Sequence, residues 1–173
     1  KYYKPQTHQF MKKFSFLLTL LFCAFICTEG FSQGKIPKDK RQIISILEGK
    51  KNRLVEISDN IWEAAEPALL EFKSSKYLSD YAEENGFKVT KGVAEIPTAF
   101  VAEYGSGRPI IGIMGEFDAN PGISQKKQPT KEPLVKGAAG HGCGHNLFGT
   151  ASLGAAIAIK EMIESGEISG TVR

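Results

Sequence analysis

The chain has 173 residues, 42% of them apolar and 24% charged, with a formal net charge of +3. That excess sits in the first 32 residues: once Lys1, Lys4, Lys12, Lys13 and Glu29 are set aside, the remaining charges cancel. Composition therefore gives no footing for a nucleic-acid or anionic-membrane partner, and the length allows one modest domain.

The chain opens on Lys1-Tyr2-Tyr3-Lys4, and Met11 starts a different kind of sequence. Lys12 and Lys13 precede an apolar run from Phe14 to Cys27, and small and polar residues follow to Gln33. This is the layout of a secretory signal cut after Ser32. The run is about 14 residues, short of the roughly 20 a spanning helix needs, which favours cleavage over an uncleaved anchor. The expected organisation is upstream or unstructured residues over 1–10, a signal peptide over 11–32 and a folded part over 33–173. Export, to a periplasm or the outside, follows as an expectation.

Asp39 can cap a helix whose apolar face is Ile43, Leu47, Leu54, Ile57 and Ile61, with Gly49 weakening its middle and Pro67 ending or bending it. A second helix starts at Ser74 or Ser75, turns Leu78, Tyr81 and Ala82 inward and stops at Asn85-Gly86. Phe87 to Thr90 and Thr98 to Tyr104 have strand composition, and Gly105-Ser106-Gly107 reads as a hairpin-type turn. Pro109 to Gly115 is a continuous apolar run, as expected of a strand buried on both faces. Residues 120–140 form a long loop, a kind that is usually functional or disordered. Asn146 to Ile163 reads as a buried helix, apolar nearly all round. Ile168 to Arg173 reads as a strand that stops mid-pattern, as in the N-terminal piece of a longer protein. The order predicts an α/β layer structure around a mixed, partly parallel sheet, with ligands beyond the carboxyl ends of its strands.

Two groups fall at such an end. Glu116-Phe117-Asp118 follows the apolar run, and residues two apart on a strand share a face. His141-Gly142-Cys143-Gly144-His145 precedes the last helix and holds every histidine and cysteine outside the leader and the residues before it. With Cys23 and Cys27 in the leader, Cys143 has no partner for an intramolecular disulfide. Two chemistries compete. Cys143 and His145 can bind a divalent metal that polarises a carbonyl and activates water. Alternatively Cys143 is a nucleophile with a histidine base, although such a base usually lies far away in sequence. Two ligands do not complete a zinc site, which needs three or four.

The stretches from Gly112 to Ala119 and from Gly140 to Ala151 resemble the zinc-dependent aminoacylase and carboxypeptidase family, in its amidohydrolase subfamily. The likeness runs from about Ile61-Trp62 to Arg173, through Gly86-Phe87-Lys88-Val89 and Gly122-Ile123-Ser124-Gln125. It implies a three-layer catalytic domain that hydrolyses an amide between an acyl or aminobenzoyl group and an amino acid or small peptide. It also implies a site for two divalent metals, zinc or manganese, with Cys143 and His145 as ligands. Asp118 would be the catalytic-site carboxylate that orients a ligand from outside the metal's contact shell. Glu116, where related branches place a ligating histidine, would line the site with His141 and Asn146. The family's general-base Glu-Glu pair follows a strand like Gly170–Arg173. That pair, the remaining ligands and an inserted dimerisation domain do not occur in these 173 residues, so the stretch alone would not be a competent enzyme. A homodimer or a related subunit is implied through that domain. Asn120 departs from the pattern, which has a hydrophobic residue there. A non-catalytic periplasmic metal- or peptide-binding domain on the same scaffold is the rival to an enzyme.

Overall fold

A computed structural model describes residues 36–173. The expected signal peptide and the residues before it lie outside the described residues. From Asp39 to Arg173 the chain forms one compact unit. Among the described residues no helix is long and apolar enough to cross a membrane.

Helix α1 covers Lys38–Ala64. Its expected apolar face forms: Ile57 and Ile61 are buried, and Leu54 packs half-buried against them. Asp39 lies inside the first turn instead of capping it, where its carboxylate still meets the positive end of the helix dipole. The helix stops ahead of Pro67, and Ala65 already has φ 43.

Helix α2 covers Phe72–Glu84 and so begins two residues before Ser74. The reason lies outside the helix. The Glu66 carboxylate accepts the backbone N–H groups of Lys73 (3.1 Å) and Ser74 (2.9 Å) and the Ser74 hydroxyl (2.9 Å). It satisfies donors that a helix N-terminus otherwise leaves open. Glu66→Ala is expected to destabilise the protein by about 1 kcal/mol, read as a lower urea midpoint at constant slope. An unchanged midpoint would mean that water caps this helix equally well. At the other end, backbone bonds from Asn85, Gly86 and Phe87 into the last turn close the helix as expected, with Gly86 at φ 83.

Strands β1 (Lys88–Lys91) and β2 (Phe100–Ser106) pair antiparallel, with Val89 opposite Ala102. β3 is only Ile110–Ile111, and β4 is Gly170–Val172, after the helix α3 (His145–Glu164). The sheet order is β1-β2-β4-β3, antiparallel between β2 and β4 and parallel between β3 and β4. The sheet is therefore mixed, as expected.

Two expectations need correction. The glycine turn after β2 does not close a hairpin, because β4 inserts between β2 and β3. Thr171 of β4 bonds to the turn and to the residues after it, its hydroxyl donating to Gly107 O (2.9 Å) and its N–H to Pro109 O (2.9 Å). Nor is the apolar run buried on both faces: Ile110, Ile111 and Met114 are 48%, 50% and 71% exposed. Among the described residues β3 has β4 on one side and no strand on the other, so composition typical of an interior strand stands at an edge.

The core gathers Ile57 and Ile61 from α1, Leu78, Tyr81 and Ala82 from α2, Leu153, Ala156 and Ile157 from α3, and Val172 from β4. Along β2, Phe100, Ala102 and Tyr104 pack against it while Val101 faces out, the alternation a one-sided strand shows. Helix α3 is buried along most of its length, but Leu147 and Phe148 in its first turn are exposed. Lys50 ties α1 to the other helices, donating to Asn85 Oδ1 (3.0 Å) and pairing with Glu161 (2.9 Å).

Candidate metal centre

Three local features carry the carboxylates and the pentapeptide to one place. The stretch after β3 is pinned at Ala119, whose N–H donates to Glu66 O (2.8 Å) beside a parallel bridge to Pro67. The loop over 120–140 is closed at its base by reciprocal backbone bonds between Asn120 and Gly140 (2.9 and 3.0 Å). The residue that departs from the family pattern thus makes this closure with its backbone. Within the loop the Gln125 carboxamide is bonded to backbone groups of Lys126, Thr130 and Glu132. Finally, Gly149 on α3 allows the carboxylate stretch to approach. A Cβ there would stand 2.8 Å from Glu116 O and 3.3 Å from the Phe117 side chain. Ser152 of α3 holds the same stretch by donating to Met114 O (2.7 Å).

These contacts bring Glu116, Asp118 and His145 together, with one ligand atom of each within 4.8 Å of the others. His145 Nδ1–H donates to Asp118 Oδ1 at 2.7 Å. Its Nε2 lies 3.3 Å from Glu116 Oε2. A neutral imidazole has one proton, and here the Asp118 contact uses it. In that tautomer Nε2 presents a lone pair to a carboxylate oxygen, an arrangement that a cation between the two would satisfy. An imidazole nitrogen facing one carboxylate, with a second carboxylate bonded behind the ring, suits a divalent cation such as zinc or manganese. The residues present therefore fit a metal.

Cys143 is an exposed free thiol, outside this converging group. Gly144 takes the left-handed conformation, φ 78, and turns the chain into α3 at His145. Asn146 is buried, and its amide donates to Ser58 Oγ of α1 (3.1 Å). His141 Nε2–H donates to Ile61 O at the end of α1 (3.0 Å), while its Nδ1 is buried without a hydrogen-bond partner among the described residues. Burial holds the His141 imidazole below its ordinary 6.5, outweighing the opposite pull of the Ile61 carbonyl and Asp118. Sequence reasoning missed Ser58, the Ile61 carbonyl and Glu66. Each acts across long sequence separations or through backbone, and no residue-type pattern marks them.

The architecture and this cluster define a class before they define a relative: the α/β domain has the fold of M20 aminohydrolases and metallopeptidases. A solved structure from methicillin-resistant Staphylococcus aureus, assigned as an aminohydrolase, matches with a TM-score of 0.62 and 25% identity over 76% of this chain and 33% of its own. A Bacillus subtilis dinuclear metal-binding peptidase of the M20 family matches with a TM-score of 0.55 and 24% identity over 70% of this chain and 34% of its own. In sequence, the chain is 44% identical over 136 residues to a p-aminobenzoyl-glutamate hydrolase subunit of Escherichia coli strain K12. That alignment covers 77% of this chain and 28% of the relative, so the chain spans under a third of that protein's length. No family model matches. The resemblance carried by the Gly-Glu-Phe-Asp-Ala and Gly-His-Gly-Cys-Gly-His-Asn stretches is borne out.

Proposed function

We propose that this chain carries part of the catalytic domain of an exported, metal-dependent amidohydrolase. Its substrate class is an N-acyl or aminobenzoyl amino acid or small peptide, cleaved at the amide. The observation that carries the reading is the Asp118–His145–Glu116 convergence, with the Asp118 bond at 2.7 Å. The 44% identity to a p-aminobenzoyl-glutamate hydrolase subunit supports the substrate class and a partner subunit or second copy.

In this reading His145 offers Nε2 to the metal, and Cys143 supplies a thiolate ligand from the loop beside it. Asp118 would fix the ring orientation and the tautomer that leaves the Nε2 lone pair free, the usual work of a carboxylate behind a ligating histidine. Glu116 adds negative charge on the Nε2 side, which favours a cation there. A bound divalent metal, two per site in the proposed class, would polarise the amide carbonyl and lower the pKa of water. The thiol lies two residues before the start of α3, on the same turn of chain that delivers His145. The general base and the remaining ligands would come from parts of a longer polypeptide, so this stretch alone is proposed to be inactive.

The test is chelation set against alkylation on the full-length protein. Chelator and Cys143→Ser should each abolish amide hydrolysis, and added zinc or manganese should restore only the chelated wild type. If turnover survives chelation while thiol alkylation stops it, Cys143 is a nucleophile and the metal reading fails. A protein that binds metal or peptide without any hydrolysis would instead be the non-catalytic binding domain.

A further inference from the structure

β3 and the residues that continue it leave one edge of the sheet free. Pro109 O accepts the Thr171 N–H (2.9 Å), Ile111 O accepts the Arg173 N–H (2.9 Å), and the Ile113 N–H donates to Arg173 O (2.7 Å). Pro109, Ile111 and Ile113 thus face β4. Ile110, Gly112 and Met114 alternate with them and turn their backbone groups to the other side, where no strand stands among the described residues. Of these groups the Met114 carbonyl takes the Ser152 hydroxyl (2.7 Å).

Proteins blunt such an edge with charge, proline or a bulge. Those devices are missing from the open side here. From Pro109 to Gly115 the run carries no charge, and the proline's carbonyl is turned to β4. Ile110, Ile111 and Met114 are all exposed, and at Gly112 there is open space where a Cβ would stand. The apolar surface continues into a groove of about 430 Å³ whose lining includes Phe100, Val101, Ile113, Met114 and Phe117.

The edge is complementary to itself. With two copies antiparallel about Gly112, Ile110 of each stands opposite Met114 of the other, and Gly112 opposite Gly112. Arg108 lies as far before that centre as Glu116 lies after it, so each end brings a guanidinium of one copy toward a carboxylate of the other. Arg108 is exposed and makes no ion pair among the described residues, and the Glu116 side chain is about half exposed. A parallel mate would instead set like charges side by side.

We propose that two copies of this chain dimerise through these edges, each β3 pairing antiparallel with its mate about a twofold axis at Gly112. The two sheets join into one, and the exposed isoleucines and Met114 are covered. The inference does not rest on the metal-hydrolase reading.

Sedimentation velocity of the 173-residue chain over a dilution series tests it, with chelator present to exclude metal bridging between copies. A dimer that dissociates on dilution is expected. Gly112→Pro removes an outward N–H without touching the β4 ladder and should give a monomer, as should Ile110→Lys. Arg108→Glu should weaken association about tenfold, through both charged ends at once. Hydrogen exchange adds a readout that needs no variant: the Ile110, Gly112 and Met114 amides should slow as concentration rises, and the Ile113 amide should not change. If Gly112→Pro does not fold, Ile110→Lys and this alternation still decide. A monomer at every concentration, association that survives both edge variants, or edge amides whose protection is independent of concentration would each overturn the proposal.

Discussion

Asp118→Ala will weaken divalent-metal binding by roughly 10- to 100-fold while leaving the fold in place. Among the described residues, the Asp118 carboxylate has one hydrogen-bond partner, His145 Nδ1, at 2.7 Å. Its side chain is about a quarter exposed, so its loss leaves no sealed cavity. What the substitution removes is orientation. Without the carboxylate the imidazole can rotate or adopt the other tautomer, and Nε2 is no longer held as the basic nitrogen. Asp118→Asn keeps an acceptor oxygen but not the charge, and should fall between wild type and alanine. Competition with a chromophoric chelator gives the affinities, and a urea curve checks the fold. Wild-type affinity in Asp118→Ala would show that His145 is held by its surroundings alone. Loss of affinity together with a lowered urea midpoint would assign Asp118 to the fold instead.

The parts of this arrangement legible in the sequence are the local ones. Ile57 and Ile61 declare a helix face by spacing, and Asn85-Gly86 declares a helix end. Glu116 and Asp118 do converge on one site, but from an extended segment outside any strand, so the strand alternation that suggested it is not the cause. The pentapeptide is conspicuous because soft ligands are otherwise scarce. The unreadable parts depend on partners chosen by the fold. Asp118 and His145 are 27 residues apart, and His141 meets Ile61 across 80. Glu66 caps a helix that begins six residues later, so the rule that seeks a cap next to the helix points to Ser74 instead. The apolar run after Pro109 carries the composition of an interior strand, but periodicity says nothing about which strand lies beside it. Its exposure is a property of sheet order, and sheet order is set by β4, more than 50 residues further on.

Ile61→Ala will cost about 2–5 kcal/mol, the range for emptying a fully buried branched side chain. Ile61 has no exposed surface and packs where α1, α2 and α3 meet. The measurement is a urea midpoint at unchanged slope, and a loss below about 1 kcal/mol would mean the neighbours close the gap. The substitution also separates two roles of one residue. Its carbonyl receives the His141 N–H and is kept in alanine, so that bond survives if the last turn of α1 holds its place. The turn before it is tied independently by Asn146, which donates to Ser58 Oγ from the first turn of α3. Metal affinity should therefore drop by less than in Asp118→Ala even though stability drops by more. Such a crossing of the two effects is expected only if the site is positioned by polar ties between α1 and the start of α3, with the apolar core beneath supplying stability. If the core substitution weakens metal binding more than loss of the carboxylate does, packing positions the site, and the polar ties are incidental to it.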